Sequence, residues 1–357
     1  MARDHLDRAR GYLASHDVDA LLLLRPENRR YVTGFTGTAG LALVTRDDAF
    51  LAVDFRYYEQ AELQAPGCRV LRGGTDPPGA LAEALRGRNV RRIGFEAEFV
   101  PYAQVERLRE KLAPADLVPL SDVDRLRWVK DPEEIAAVTR AAEIAEAAFA
   151  FILGALRPGV RERDVALELE VFMRRAGAER IAFDSVVASG PRSALPHGRA
   201  TDRGVEEGDL VTLDFGAVYE GYTSDITRTV VVGEATARQR ELYALVWEAH
   251  ERALAATRAG ATTREVDAAG RAVIDAAGYG DAFGHALGHG IGLDVHEGPP
   301  LSPRDETVLE PGMVVTIEPG IYIPGWGGIR IEDDVVVTAD GCRVLTRAPA
   351  ELVTVPR

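Results

Sequence analysis

The stretch Leu210-Val-Thr-Leu-Asp214-Phe-Gly-Ala-Val-Tyr-Glu-Gly221-Tyr-Thr-Ser-Asp225-Ile-Thr-Arg-Thr-Val-Val-Val232 decides how the chain folds. Two runs rich in Val, Leu, Ile and Thr flank Tyr219-Glu220-Gly221, the pattern of a β-hairpin closed by a tight turn. Facing residues of such a hairpin have numbers with a constant sum. Asp214 and Asp225 are symmetric about position 219.5, inside the turn. The spacing therefore predicts that they face each other, with Cβ atoms about 4.5–5.5 Å apart. Two like charges so placed destabilise a sheet unless a cation sits between them. Asp214 also interrupts an otherwise apolar run, which argues against a solvated face.

The pattern recurs. Val314-Val-Thr-Ile-Glu318-Pro-Gly-Ile-Tyr322 leads through Pro324-Gly-Trp-Gly-Gly328 into Ile329-Arg330-Ile-Glu332-Asp333-Asp334-Val335, and Glu318 and Glu332 are symmetric about Gly325. Four carboxylates converging on one pocket are costly unless neutralised. Two divalent ions balance them and leave room for a neutral imidazole. Between the hairpins lies Gly284-His285-Ala-Leu-Gly288-His289-Gly290-Ile-Gly292-Leu-Asp-Val-His296-Glu297. Its glycines argue against a regular helix, and it lacks the glutamate of the H-E-x-x-H zinc motif. Clustered imidazoles on a backbone that can approach closely point to ligation. His5, His16 and His250 stand alone and read as ordinary core or surface residues.

Working outward, Asp131-Pro132-Glu133-Glu134 has the form of an N-cap, a first-turn proline and a capping-box acid. Ile135, Val138, Ala142, Ala145 and Phe149 give the following helix one apolar face, ending before Pro158-Gly159. Arg157-Pro-Gly159-Val-Arg-Glu-Arg163-Asp-Val165 matches Arg258-Ala-Gly260-Ala-Thr-Thr-Arg264-Glu-Val266 at an offset of about 101, which also maps Gly177 onto Gly278. Each copy reads helix, turn, helix and then β-rich segments, and each half supplies the same kind of chemistry, which favours a duplicated region over chance similarity of two helix–turn–helix units. The boundary before it falls at Arg125–Lys130. Upstream, short apolar runs (19–24, 40–45, 49–54, 68–72 and 91–95) alternate with helical patterns (4–15, 57–64, 78–86 and 101–112), which predicts an α/β domain with a covered sheet.

The 357 residues suit two domains, and 46% hydrophobic with 27% charged residues is ordinary globular composition. A net charge of −14 argues against nucleic acid as a partner. No apolar run is long enough for a membrane span, and the N-terminus does not have the pattern of a signal peptide. Two distant cysteines, Cys68 and Cys342, exclude a disulfide framework and point to the cytoplasm. Lysine occurs only at Lys111 and Lys130 among 42 basic residues, which reads as compositional drift.

The motifs L-D-F-G, S-D-I-T-R-T, G-H-G-I-G-L-D-V-H-E, I-E-P-G-I-Y and R-I-E-D-D together resemble the Xaa-Pro peptidases, prolidase and aminopeptidase P, of the pita-bread metallopeptidase family M24. The resemblance spans essentially the whole chain. It implies an α+β fold in which a smaller creatinase/prolidase-type α/β domain, 1–125, precedes a pita-bread catalytic domain, 126–357, with internal pseudo-twofold duplication. It implies the metal ligands Asp214, Asp225, His289, Glu318 and Glu332, with Asp225 and Glu332 bridging two divalent ions, manganese first and cobalt or zinc as alternatives. It makes Glu318 the proton shuttle and places His296 and His285 on the substrate and the tetrahedral intermediate. It puts His197, His296, Arg330 and Tyr322 at substrate-binding or supporting positions. The implied reaction is hydrolysis of the Xaa-Pro bond by a hydroxide held between the two metals. The implied assembly is a cytoplasmic homodimer acting on proline-containing di- or oligopeptides. The compact N-terminal domain favours a dipeptidase, with aminopeptidase P as the alternative and a non-catalytic binding module as a third reading.

Overall fold

A computed structural model of the chain describes residues 2–349 and 351–356. The chain forms two compact units, residues 1–127 and 128–357.

In the first unit, helices α1 (Ala2–Ser15), α2 (Pro26–Thr33), α3 (Tyr58–Gln64), α4 (Pro77–Ala84) and α5 (Tyr102–Leu112) accompany a six-stranded sheet. Its strands are β1 (Ala20–Leu23), β2 (Leu41–Thr45), β3 (Ala49–Val53), β4 (Arg69–Arg72), β5 (Arg92–Glu96) and β6 (Asp116–Leu120), in the order β4-β3-β2-β1-β5-β6. Strands β1 to β3 are antiparallel neighbours, while β3–β4, β1–β5 and β5–β6 run parallel. Every residue of β1, β2 and β3 is buried. That is why these strands appear as unbroken apolar runs rather than alternating ones. The unit closes with a 3₁₀ turn, Val123–Arg127, in which Val123, Leu126 and Arg127 are buried. Arg127 Nε donates to Asn28 Oδ1 at 2.7 Å, which draws the end of this unit to residue 127.

The second unit opens on α6 (Pro132–Leu153). Asp131 Oδ1 accepts from the Glu133 and Glu134 N–H groups at 2.9 and 2.8 Å, and Glu134 Oε2 accepts from Asp131 N at 2.8 Å, the reciprocal bonds of a capping box. Such a cap contributes about 1 kcal/mol. Then follow α7 (Glu162–Arg175), β7 (Arg180–Ile181), β8 (Val186–Ser189), β9 (Leu210–Phe215), β10 (Ala217–Tyr219), β11 (Tyr222–Thr223) and β12 (Ile226–Val232). The second half repeats the plan with α8 (Ala237–Ala256), α9 (Thr263–Ala276), β13 (Gly288–Gly290), β14 (Glu297–Leu301), β15 (Val314–Ile317), β16 (Gly320–Ile323), β17 (Gly327–Arg330) and β18 (Asp333–Val337), ending in β19 (Cys342–Val344) and β20 (Thr354–Val355). Helices α7 and α9 start and stop at the offset of the sequence repeat, so the duplication is structural.

Each half has its own core. Val211, Leu213, Phe215, Ile226, Val230 and Val232 pack under α6 and α7. Val315, Ile317, Val335 and Val337 pack under α8 and α9. Strand residues alternate between faces. Asp214, Thr316, Glu318 and Glu332 therefore project from the opposite faces, away from both apolar layers.

The first hairpin differs from expectation. Asp214 pairs with Thr227, and Val218 and Tyr219 pair with Thr223 and Tyr222, so every facing pair sums two higher than the sequence symmetry suggested. The turn is Glu220-Gly221, with φ of 47° and 77°. A type I′ turn needs both central residues in the left-handed region, and glycine at the second satisfies it. Asp225 is thus the diagonal rather than the direct neighbour of Asp214, which eases their repulsion while keeping both on one face. The second hairpin keeps the expected register: Gly320 pairs with Arg330, Ile317 with Asp333, and the centre falls on Gly325.

Candidate metal centre

The two hairpins and the histidine loop enclose one cavity of about 540 Å³. Asp214, Asp225, His289, Glu318 and Glu332 all line it, as do His197, His285, His296 and Arg330. One oxygen each of Asp225, Glu332 and the imidazole of His289 lie within 4.8 Å of one another.

Asp214 Oδ2 accepts from Arg330 Nη2 at 2.5 Å, whereas the buried Oδ1 atoms of Asp214 and Asp225 have no hydrogen-bond partner. Glu318 Oε1 accepts from Thr316 Oγ1 at 3.2 Å. Burial, with the neighbouring acids added, holds Asp225 and Glu332 well above the usual carboxylate range. Burial pushes Glu318 up to about 7. A crowd of buried carboxylates with orphaned oxygens lacks positive charge.

The imidazoles are arranged to match. His289 Nδ1 lies 3.0 Å from the Gly290 carbonyl, which can only accept, so Nδ1 carries the proton. Burial lowers the His289 pKa, leaving the ring neutral with the Nε2 lone pair turned toward Glu318 Oε1 at 3.4 Å and Asp225 Oδ2 at 3.8 Å. A lone pair facing carboxylate oxygens is repulsive unless a cation lies between them, and a carbonyl-anchored imidazole is the usual form of a metal-ligating histidine. Oxygen donors with one imidazole suit a divalent ion.

Behind these groups runs a directed chain of hydrogen bonds. Arg330 Nη1 donates to Tyr322 Oη at 2.8 Å, and Tyr322 Oη lies 3.0 Å from His285 Nε2. His285 Nδ1 is 2.7 Å from the Ala286 carbonyl, and burial lowers this imidazole to about 4. His285 is therefore neutral, with Tyr322 as the donor to Nε2. Arg330 Nε donates to Thr227 Oγ1 at 2.9 Å, and Thr227 Oγ1 donates onward to Glu332 Oε2 at 2.5 Å. The sequence reading did not single out Thr227, because a threonine inside a β-rich run is indistinguishable from an ordinary strand residue. The rim residues Phe183, Asp184, Arg199 and Pro300 were also missed; the first three come from connecting segments and Pro300 from β14, none with motif spacing.

Residues 136–339 match the metallopeptidase family M24, and residues 5–129 match the creatinase/prolidase N-terminal domain. The chain belongs to metallopeptidase family M24. The peptidase is 42% identical over 352 residues to an Xaa-Pro dipeptidase of Pyrococcus furiosus, covering 98% of this chain and 99% of the relative. Among solved structures it is similar to an Xaa-Pro dipeptidase from Bacillus anthracis, with a TM-score of 0.97, 46% identity, and 99% and 100% of the two chains covered. It is also similar to an X-Pro aminopeptidase from Thermotoga maritima, with a TM-score of 0.90, 39% identity, and 98% and 99% covered. The family implies divalent metal, and the donor set described above fits it.

Thr227→Val in this peptidase keeps the side-chain shape and removes the hydroxyl shared by Arg330 and Glu332. Peptidase kcat/KM should fall about 10- to 100-fold, the usual effect of losing a group that orients a ligand. Unchanged steady-state kinetics in the variant would remove Thr227 from the site's support.

Proposed function

We propose that the peptidase hydrolyses the Xaa-Pro bond of dipeptides, releasing the N-terminal residue and proline. The observation that carries this reading is the convergence of two acid-bearing hairpins and a neutral imidazole on one cavity, in a chain whose relatives over nearly their full length are named Xaa-Pro dipeptidases. Asp214, Asp225, His289, Glu318 and Glu332 would hold two divalent ions, manganese foremost. Such ions, when bound, make water acidic near neutral pH and offset charge on a carbonyl oxygen.

The remaining chemistry belongs to the side chains. Glu318 takes the proton of the attacking water as its oxygen bonds to the carbonyl carbon. It then delivers that proton to the proline nitrogen as the C–N bond breaks. His285, kept neutral with its Nε2 accepting a hydrogen bond from Tyr322, and His296 face the reacting carbonyl. Arg330 holds Asp214 in place, and His197 contacts the proline end. A tertiary Xaa-Pro amide has no N–H to pair with a strand, so shape must replace strand pairing in recognition. Phe183, Val186, Pro196 and Pro300 give the cavity an apolar wall for the pyrrolidine ring.

Arg199 supports the dipeptidase over the aminopeptidase reading. It is an exposed guanidinium at the rim, 3.9 Å from Asp184 in a solvent-facing pair, within reach of a free proline carboxylate. Exposed pairs of this kind hold their partners weakly. With manganese, kcat/KM for Ala-Pro should exceed that for Ala-Pro-Ala about tenfold or more, a preference worth about 1.4 kcal/mol, and Arg199→Ala should erase it through KM. Faster turnover of the tripeptide would make the protein an aminopeptidase P. A homodimer and a cytoplasmic setting complete the proposal. Among the described residues, no helix is long and apolar enough to cross a membrane.

A further inference from the structure

The loop bearing His289 and His296 is held from inside by a buried ion pair. Lys130 Nζ donates to Glu297 Oε1 at 2.6 Å, with side chains 1% and 0% exposed. Lys130 itself is fixed by its backbone: its N–H donates to the Gly312 carbonyl at 2.9 Å, and Val129 bridges Met313 just ahead of β15. Glu297 opens β14, adjoins His296 in sequence and pairs with Gly290 across the loop. The pair fills the space that Gly292 leaves. A Cβ on Gly292 would lie 2.6 Å from Glu297 Oε1 and 2.9 Å from Lys130 Cε. On its other side, the Gly292 carbonyl accepts from Thr223 N at 2.8 Å and Thr223 Oγ1 at 2.9 Å, two residues before Asp225.

The two histidines depend on this pair unequally. His289 has its own anchors: its N–H donates to Thr316 Oγ1 at 3.1 Å, and its ring is tied to the Gly290 carbonyl. His296 is exposed, and its ring leans on that of His289 at 4.3 Å between centroids. Its position follows from the backbone of Glu297.

We propose that Lys130 and Glu297 form a positioning pair that aims His296 at the substrate without acting on the metal ligands. This rests on the Xaa-Pro reading only in taking His296 as a substrate contact. An apolar pair of similar volume can match a buried ion pair in stability, but it does not fix a direction as a 2.6 Å hydrogen bond does. The planar, wider guanidinium of arginine does not substitute for a compact ammonium in a slot closed by Gly292. One of the chain's two lysines therefore stands where arginine would not serve.

The test uses full-length, manganese-loaded protein. Lys130→Met should raise KM for Ala-Pro about tenfold or more, with manganese affinity by calorimetry within about threefold of wild type. Glu297→Gln, whose amide oxygen still accepts from Lys130, should stay within about threefold in KM. The double variant Lys130→Met/Glu297→Leu should regain the melting temperature but keep the raised KM. In histidine-labelled protein, the His296 ring signals should move in Lys130→Met while those of His250 do not. Recovery of both stability and KM in the double variant would reduce the pair to packing and overturn the proposal. So would an unchanged KM in Lys130→Met, or a loss of manganese affinity that tracks it. If the wild type turns over no Xaa-Pro dipeptide, the functional reading fails separately, and the His296 signals still decide the role of the pair.

Discussion

Asp225→Asn should abolish metal-dependent hydrolysis while leaving the metal-free fold intact or firmer. The substitution preserves shape and removes one of four buried carboxylates at the oxygen that His289 faces. Turnover of Ala-Pro with manganese should drop about 10³-fold or more, about 4 kcal/mol of lost transition-state stabilisation. Calorimetric titration should show manganese binding weakened in parallel. The melting temperature of chelated protein should hold or rise, because the fold no longer has to bury an ionisable carboxyl beside Glu332 and Asp214. A variant that has merely misfolded would melt lower. Turnover within about tenfold of wild type would sink the assignment of Asp225 to the metal centre.

The second large effect is on stability against pH. In metal-free protein, Glu318 is held at about 7, and Asp225 and Glu332 well above the carboxylate range, first by burial and then by the neighbouring acids, Asp214 among them. Above the ordinary carboxylate value, an unfolded chain has released these protons while the fold still holds them. The folded state then binds more protons, so stability falls as pH rises. The window opens just above about pH 4 and extends to about pH 7 for Glu318, and the raised Asp225 and Glu332 act in the same direction. Divalent metal takes over from those protons, and its affinity grows as they leave. Melting temperatures with manganese and with chelator should therefore nearly coincide at about pH 5 and diverge strongly at about pH 8. There, metal at about 1,000 times its dissociation constant adds about 4 kcal/mol. An equal manganese shift at both pH values would show that the carboxylates are not the groups being neutralised.

Much of this was legible because charge is conspicuous in an apolar run. The acid pairs, the glycine-rich histidine loop and the repeat all broke a local pattern, and the second hairpin's register followed from its symmetry about Gly325. The first hairpin's register did not, because sequence symmetry cannot tell a two-residue turn at Glu220-Gly221 from a longer one starting at Tyr219. In the first unit, α2 carries a buried arginine, Arg29, whose guanidinium is spent on the backbone carbonyls of Leu24, Gly37 and Gly40. A charged core residue of that kind gives a helix no apolar stripe to detect. Strand β6 contains Pro119 and lies at a sheet edge, where proline is tolerated but hides the strand from pattern reading. Lys130 looked like drift because nothing local distinguishes a lysine bound for the interior. Its partner is Glu297, far along the chain.

The bridge between Thr227 and Glu332 joins the two halves of the second unit through backbone as well as through side chains. Asp214 and Asp225 come from one half, His289, Glu318 and Glu332 from the other, so neither half alone encloses the donor set. Closing so long a loop is an entropic cost that chain collapse must meet before any ion gains by binding. An ion held by these side chains would gain its full set of ligands only once the halves have docked. Ligands absent from the folding transition state act on the rate of unfolding, not on that of folding. Metal bound there would act as a lock on a finished door, lengthening the lifetime of the fold rather than hastening its formation.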